Sequence, residues 1–369
     1  MTALAPEPLD VGLDPEEIDA TVERIAEVQL PNGMIPWFPG GHADPWNHVE
    51  AAMAMLLGAR RPEAERAFEW LAANQLPDGA WCQYYLAEGV EEPRRDPNVC
   101  AYVATGLWWH HLVTGDRGLL EALWPVVERA VGFVLGLQRP GGEFVWSIDP
   151  DGVPGRFALL TGTSSIYHSL RCALAIASTL GYERPRWERS AGRARRAIVE
   201  HPEAFESKDP WAMDWYYPVL CGAVGGDAGR ERLAARWDDF VMDGLGVRCI
   251  VDNPWVTAAE TSECAMALDA VGMMEEAESL VLWSRHLRDG DGAYWTGCVH
   301  PQCVRYPGGE RSTYTSAAAL LADHVLYGTS PASGLFRDLP VLAGPNQRAS
   351  TVRAARRPEP MQAGTPAPP

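Results

Sequence analysis

Three short stretches of this chain set carboxylic acids beside aromatic side chains. They read Asp44-Pro45-Trp46-Asn47-His48-Val49-Glu50, Ala212-Met213-Asp214-Trp215-Tyr216-Tyr217 and Trp255-Val256-Thr257-Ala258-Ala259-Glu260. A carboxylic acid paired with a carboxylate can cleave a glycosidic bond: one donates to the leaving oxygen while the other takes a proton from water. The neighbouring rings would stack on the apolar faces of sugars. Each stretch opens a predicted helix, where unpaired N–H groups and a partial positive charge collect. Tyr167 and His168 follow the same kind of helix start at Thr161-Gly162-Thr163, and Tyr314 follows Arg311-Ser312-Thr313.

A plainer role competes for each carboxylate. Asp44-Pro45, Asp96-Pro97 and Asp209-Pro210 have the form of an N-cap followed by proline in the first turn. Thr257-x-x-Glu260 has the form of a capping box. Caps do not require so many aromatic neighbours, and that density favours a sugar cleft. Asp214 and Glu263 lie past the caps, inside their helices. Glu50 lies about 9 Å below Asp44 along a helix axis, and it is read as a buried structural partner of Arg171 or His48. His110 and His111, late in their helix, are read as structural.

Charge and cysteine content limit the alternatives. The net charge is −18, with 31 Lys and Arg against 49 Asp and Glu, which opposes binding to nucleic acid or anionic membranes. Met1 to Val11 has no apolar core of a secretory leader, and no apolar run is long enough to cross a bilayer. The eight cysteines are therefore read as reduced and mostly buried, in a cytoplasmic protein. Cys298-x-His300-x-x-Cys303 has metal-ligand residues but no evident fourth ligand, so no metal and no cofactor is expected.

These residues must be held by a repeated scaffold. Gln-x-x-(Asn/Asp/Gly)-Gly followed by Trp occurs at Gln29 to Gly33 with Trp37, at Gln75 to Gly79 with Trp81, and at Gln138 to Gly142 with Trp146. A degenerate fourth copy is read with His286 in place of Gln, then Asp289-Gly290 and Trp295. Each copy closes a helical pattern, with Gly as the stop and Trp packing the turn. Helical periodicity predicts twelve helices, at about 14–29, 46–59, 62–74, 97–114, 117–137, 163–180, 186–200, 210–224, 228–242, 258–271, 274–287 and 312–327. Links alternate between short turns and long loops. This is the pattern of an all-α, (α/α)6 toroid of six helical hairpins, with the long loops and inner-helix N-termini at one mouth. Residues 1–334 are read as one toroid domain. Residues 335–369, rich in Pro, Ala and Arg, are read as a disordered tail.

Gln75 to Trp81 resembles the QW repeat of squalene and terpene cyclases and related prenyltransferases. The chain has no Asp-x-Asp-Asp acid motif and no Asp-x-Cys paired with a downstream His. Asp238-Asp239-x-x-x-Asp243 differs by one residue from an Asp-rich diphosphate motif and is read as a solvated face. From Gln29 to about Leu326 the chain is similar to actinobacterial toroid proteins that include hydrolases of methylmannose polysaccharide. That similarity is carried by Ile35 to His42, Asp44 to Glu50, Ala212 to Tyr217 and Trp255 to Glu260. The resemblance implies an endo-α-mannanase-like glycoside hydrolase acting on an α-mannan-type, O-methylated oligosaccharide, and inversion at the anomeric carbon.

Asp44 and Glu260 are the expected catalytic pair, with Asp214 in reserve. Trp46, Asn47, His48, Tyr167, His168, Trp215, Tyr216, Tyr217, Trp255 and Tyr314 are the expected substrate-binding residues. A prenyltransferase- or cyclase-like enzyme and a non-catalytic carbohydrate-binding toroid are the alternatives.

Overall fold

The computed structural model describes residues 12–339. The expectation about Met1 to Val11, and the part of the expected tail from 340 onward, lie outside the described residues. The helices are α1 (Pro15–Val28), α2 (Pro45–Met55), α3 (Arg61–Asn74), α4 (Pro97–Ala101), α5 (Val103–Thr114), α6 (Gly118–Gly136) and α7 (Leu160–Leu180). They continue with α8 (Pro185–Glu200), α9 (Ala212–Leu220), α10 (Gly226–Ala235), α11 (Trp237–Phe240), α12 (Ala258–Ala270), α13 (Met274–Ser284) and α14 (Thr313–Tyr327). All twelve expected helices are present. The fourth is interrupted at Tyr102, and the ninth becomes α10 and α11.

The inner helices form a closed ring. α2 packs on α5, α5 on α7, α7 on α9, α9 on α12, α12 on α14, and α14 again on α2. Sequence explains the two layers. In α8 the buried residues Trp187, Ala191, Ala194 and Ile198 recur at helical spacing, and Arg and Glu cover the other face. In α2 the run from Val49 to Met55 is buried all round, as suits a helix enclosed on every side. The chain is an (α/α)6 toroid.

Each repeat turn clamps the next outer helix. Gln75 Nε2 donates to Gly79 O at 3.0 Å and, across the seam, to Val126 O of α6 at 2.9 Å. Gln29 reaches Glu63 O and Gln138 reaches Ser190 O in the same way. Gly79 has φ +94°, and a Cβ there would lie 2.2 Å from Arg129 O, so only glycine allows this approach.

The fourth copy is corrected by two residues. Arg288, not His286, occupies the Gln position, and Gly292 (φ +95°) is the turn glycine. Arg288 Nη2 donates to Glu17 O of α1 at 3.0 Å. The last turn therefore clamps the first helix and closes the outer ring.

Two small antiparallel sheets depart from the all-α expectation. β1 (Tyr84–Leu86) pairs with β2 (Gly89–Glu92). β3 (Val241–Met242), β4 (Gly246–Ile250), β5 (Asn253–Thr257), β6 (Gly297–Val299) and β7 (Val304–Arg305) form a meander in that order. The expected helix at 228–242 ends early because β-branched residues and glycines follow Phe240. Both sheets are built from the long loops.

The expected tail starts too early. Leu335, Phe336 and Leu339 are buried. Phe336 stacks on His168 at 5.0 Å, and Arg337 Nη1 donates to both oxygens of Asp269 at 2.7 and 2.8 Å. These apolar and paired groups close the floor of the barrel, so 335–339 belongs to the folded unit.

Candidate active site

The inner-helix N-termini and the loop sheets surround a cleft of about 300 Å³. Its walls include Trp37, Trp46, Tyr84, Trp255 and Tyr314, and its polar lining includes Asp44, Asn47, Glu50, Gln83, Asn98, Glu260, Glu263 and Thr296. A larger hollow of about 570 Å³ lies at the short-turn rim, between Trp108, Leu174, Tyr182 and Leu335. The smaller cleft is the candidate because it gathers four carboxyl groups among aromatic walls.

Asp44 caps α2 and also binds the cleft wall. Its Oδ1 accepts from Trp46 N at 2.9 Å and Asn47 N at 3.0 Å. Its Oδ2 accepts from Trp37 Nε1 and Asn47 Nδ2, both at 2.7 Å. Burial raises its pKa, and these N–H donors oppose that rise. All four donors carry hydrogen, so protonating Asp44 would break one of the four bonds. The arrangement is built for the anion.

Glu260 stands in the first turn of α12, across the ring. Thr257 donates its hydroxyl to Glu260 Oε2. No side-chain hydrogen bond caps α12, so the expected capping box is not formed. The Cys249 thiol also lies against the Glu260 carboxyl, which lines the cleft.

Two further carboxyls form the floor. Tyr102 donates to Glu50 Oε1 at 3.0 Å. Tyr217 donates to Glu263 Oε1 at 2.6 Å, and Tyr216 donates to Oε2. Burial, then repulsion from Glu263, lifts the Glu50 pKa well above the usual range. Burial also lifts Glu263, against the pull of its two tyrosines. The expectation that Glu50 pairs with Arg171 or His48 is corrected: its partner is Tyr102, and it lines the cleft. The signal was available, since neither Glu50 nor Glu263 has a basic residue three or four positions away in its helix. Trp37, read as turn packing, also belongs to the site.

Of the expected binding residues, Trp46, Asn47, Tyr217, Trp255 and Tyr314 line the cleft. Five do not. Trp215 stacks on Phe240 at 5.2 Å and donates to Arg232 O, turned toward the outer layer. Tyr216 is fully buried behind Glu263. His48 is held between Ile35 N and Ala67 O. Tyr167 is fully buried, and His168 lies deeper in the lumen on Phe336. Asp214 is also off the wall: it accepts from Thr161 Oγ1 at 2.6 Å, and it is Thr161 that lines the cleft. Helix position was legible from the sequence, but rotation about each helix axis was not.

Three buried polar atoms on the cleft wall have no protein partner: Trp46 Nε1, Gln83 Oε1 and Asn98 Oδ1. One donor and two acceptors left open among rings suit a polyhydroxylated ligand with apolar faces.

No protein-family model matches the sequence. The chain is 51% identical over 330 residues to the MMP endo-(1,4)-3-O-methyl-α-D-mannosidase of Mycolicibacterium hassiacum, covering 89% of this chain and 91% of that protein. The chain belongs to this mannosidase family of glycoside hydrolases. Membership sets aside the prenyl- and terpene-enzyme alternative raised by the QW-like turns. A solved wild-type glycosidase superposes with a TM-score of 0.67 at 16% identity, covering 86% of this chain and 99% of that one. A D-mannose isomerase does so with a TM-score of 0.63 at 11% identity, over 86% and 99%. These two share the fold, and their different activities show that chemistry is set by the site. No helix among the described residues is long and apolar enough to cross a membrane.

Proposed function

We propose that this mannosidase-family protein hydrolyses internal α-1,4 linkages of a 3-O-methylated mannose polysaccharide, with Glu260 as proton donor and Asp44 as the base. The carrying observation is that α2 and α12, from the first and fifth hairpins, deliver these two carboxyls to one aromatic-walled cleft. The 51% identical relative supports the substrate class. Methyl ethers enlarge the apolar face of a sugar, and Trp37, Trp46, Tyr84, Trp255 and Tyr314 supply surfaces for it.

The roles follow from the hydrogen bonds. Asp44 accepts from four N–H donors, which stabilise its anion against burial, and it is assigned the base that takes a proton from the attacking water. Glu260, across the cleft, accepts from the Thr257 hydroxyl and lies against the Cys249 thiol, and as the proposed acid it is assigned the proton to be donated. It gives that proton to the departing O4 as the C1–O4 bond breaks. Water supplies the new C1 hydroxyl on the opposite face, and inversion is the proposed outcome. Asp214 remains the reserve carboxylate. The reading includes a cytoplasmic location, which the six buried free cysteines suit.

Incubation with 3-O-methylated and unmethylated α-1,4-mannooligosaccharides, read by mass spectrometry, tests the reaction. NMR of the first-formed anomer tests the stereochemistry. Shortened methylated chains with a β-anomer product are expected. Intact methylated chains would overturn the reading.

A further inference from the structure

Four side chains with no place in the cleft converge beside its wall. His286 follows α13, Cys298 lies in β6, and His300 and Cys303 flank the turn into β7. One ligand atom from each lies within 4.8 Å of all the others. Cys298 Sγ is 3.2 Å from His300 Nε2 and 3.7 Å from His286 Nε2. Zinc with Zn–S near 2.3 Å and Zn–N near 2.0 Å spaces tetrahedral ligands by about 3.3–3.8 Å. The fourth ligand missing from Cys298-x-His300-x-x-Cys303 is therefore His286, brought in by the fold from the end of an outer helix.

We propose that His286, Cys298, His300 and Cys303 form a structural Zn²⁺ site when both cysteines are reduced. Cys298 and Cys303 are joined as a disulfide in the structure. Disulfide and metal exclude one another, and the fold brings the same two sulfurs together for either. Zinc entry converts both thiols to thiolates and releases two protons to solvent.

The surroundings favour the metal. His286 Nδ1 lies 2.6 Å from Trp283 O. Donation there leaves the lone pair of Nε2 facing the sulfurs, the usual arrangement behind a zinc-bound histidine. Arg305 Nη1 donates to Cys303 Sγ at 3.6 Å, a contact from outside the ligand set that orients this sulfur. His286 is also free of the ring clamp, because Arg288 fills the repeat's Gln position.

The site has a structural consequence for the cleft. In the sheet Cys298 pairs with Val256, between Trp255 and Thr257 of β5. Trp255 lines the cleft and Thr257 holds Glu260. A zinc clip would fasten this wall to α13.

The test uses the full chain purified under a thiol reductant. Elemental analysis should find about one zinc per chain. Replacement by Co²⁺ should produce tetrahedral d–d bands and sulfur-to-cobalt charge transfer. H286A and C303S should each lose these bands, and a chelator should lower the wild-type Tm but not that of C303S. A reduced wild-type chain that retains no zinc and gives no cobalt spectrum would overturn the site. So would a Cys298–Cys303 disulfide that persists in protein alkylated directly from a reducing cytoplasm. The cobalt spectrum of the wild type does not depend on either variant folding.

Discussion

Thr257 donates its hydroxyl to Glu260 Oε2 and leaves the N-terminus of α12 without a side-chain cap. Glu260 is thereby separated from the stability of its helix. E260Q should lower turnover by roughly 10²–10⁴-fold, the range for loss of a general acid, while Tm stays within a degree or two. T257V should reduce kcat less and leave the fold intact. An active E260Q would remove Glu260 from the mechanism and make D214N the next variant to assay.

Asp44 is the opposite case. D44N places an amide where the carboxylate accepts from Trp37 and Asn47, so two donors would face a third. Turnover should be lost and unfolding free energy should fall by about 2 kcal/mol or more, because a buried charged acceptor is replaced. A plain cap would behave differently, since Asn caps nearly as well as Asp. Urea melts and turnover measured on the same preparation separate the two.

Stability should depend on pH in a stated direction. Burial pushes Asp96 up to about 7 and also raises Glu50 and Glu263. The folded chain therefore holds these protons more tightly than the unfolded chain. Their contribution is complete below the unfolded value of about 4.3 and is lost as pH rises through the folded values. Unfolding free energy should decline between about pH 5 and 8, and E263Q should flatten that slope. A slope that rises over this span, or one unchanged in E263Q, would contradict the assignment.

The seams between hairpins should tolerate no side chain at their glycines. G79A would put a Cβ 2.2 Å from Arg129 O on a backbone with φ +94°. A loss above about 3 kcal/mol is expected in denaturant melts. G132A, whose Cβ meets nothing within 4 Å, is the matched control and should be neutral or stabilising in its helix.

Truncation should show that 335–339 helps to close the barrel's floor. A chain ending at Gly334 should lose several degrees of Tm against the full chain, because Leu335, Phe336 and Leu339 leave the core. F336A alone should cost about 3 kcal/mol.

Much of this was legible in the sequence, and the remainder has physical causes. Repeats and periodicity located every helix, because spacing is a property of the local chain. The cleft's carboxyls at Asp44 and Glu260 were legible for the same reason. Trp215 and Tyr216 were misjudged because neighbouring residues on a helix point about 100° apart. Tyr217 faces the cleft, Tyr216 lies behind Glu263 and Trp215 faces outward. Residues 335–339 resembled a tail because five residues are too few to show a period. His286 was not grouped with Cys298, His300 and Cys303 because it lies beyond a turn from them, and only the fold brings the four side chains together.

The bond from Arg288 to Glu17 joins residues 271 positions apart. During synthesis α1 leaves the ribosome before the other described helices, yet the residue that clamps it follows 271 positions later. Until then one flank of the growing arc of hairpins has no neighbour, and its apolar edge faces solvent or chaperones. Contacts that span most of a chain form late and slow folding. The ring therefore ties the ordering of the N-terminal hairpin, and of the Asp44 it carries, to completion of the C-terminal third.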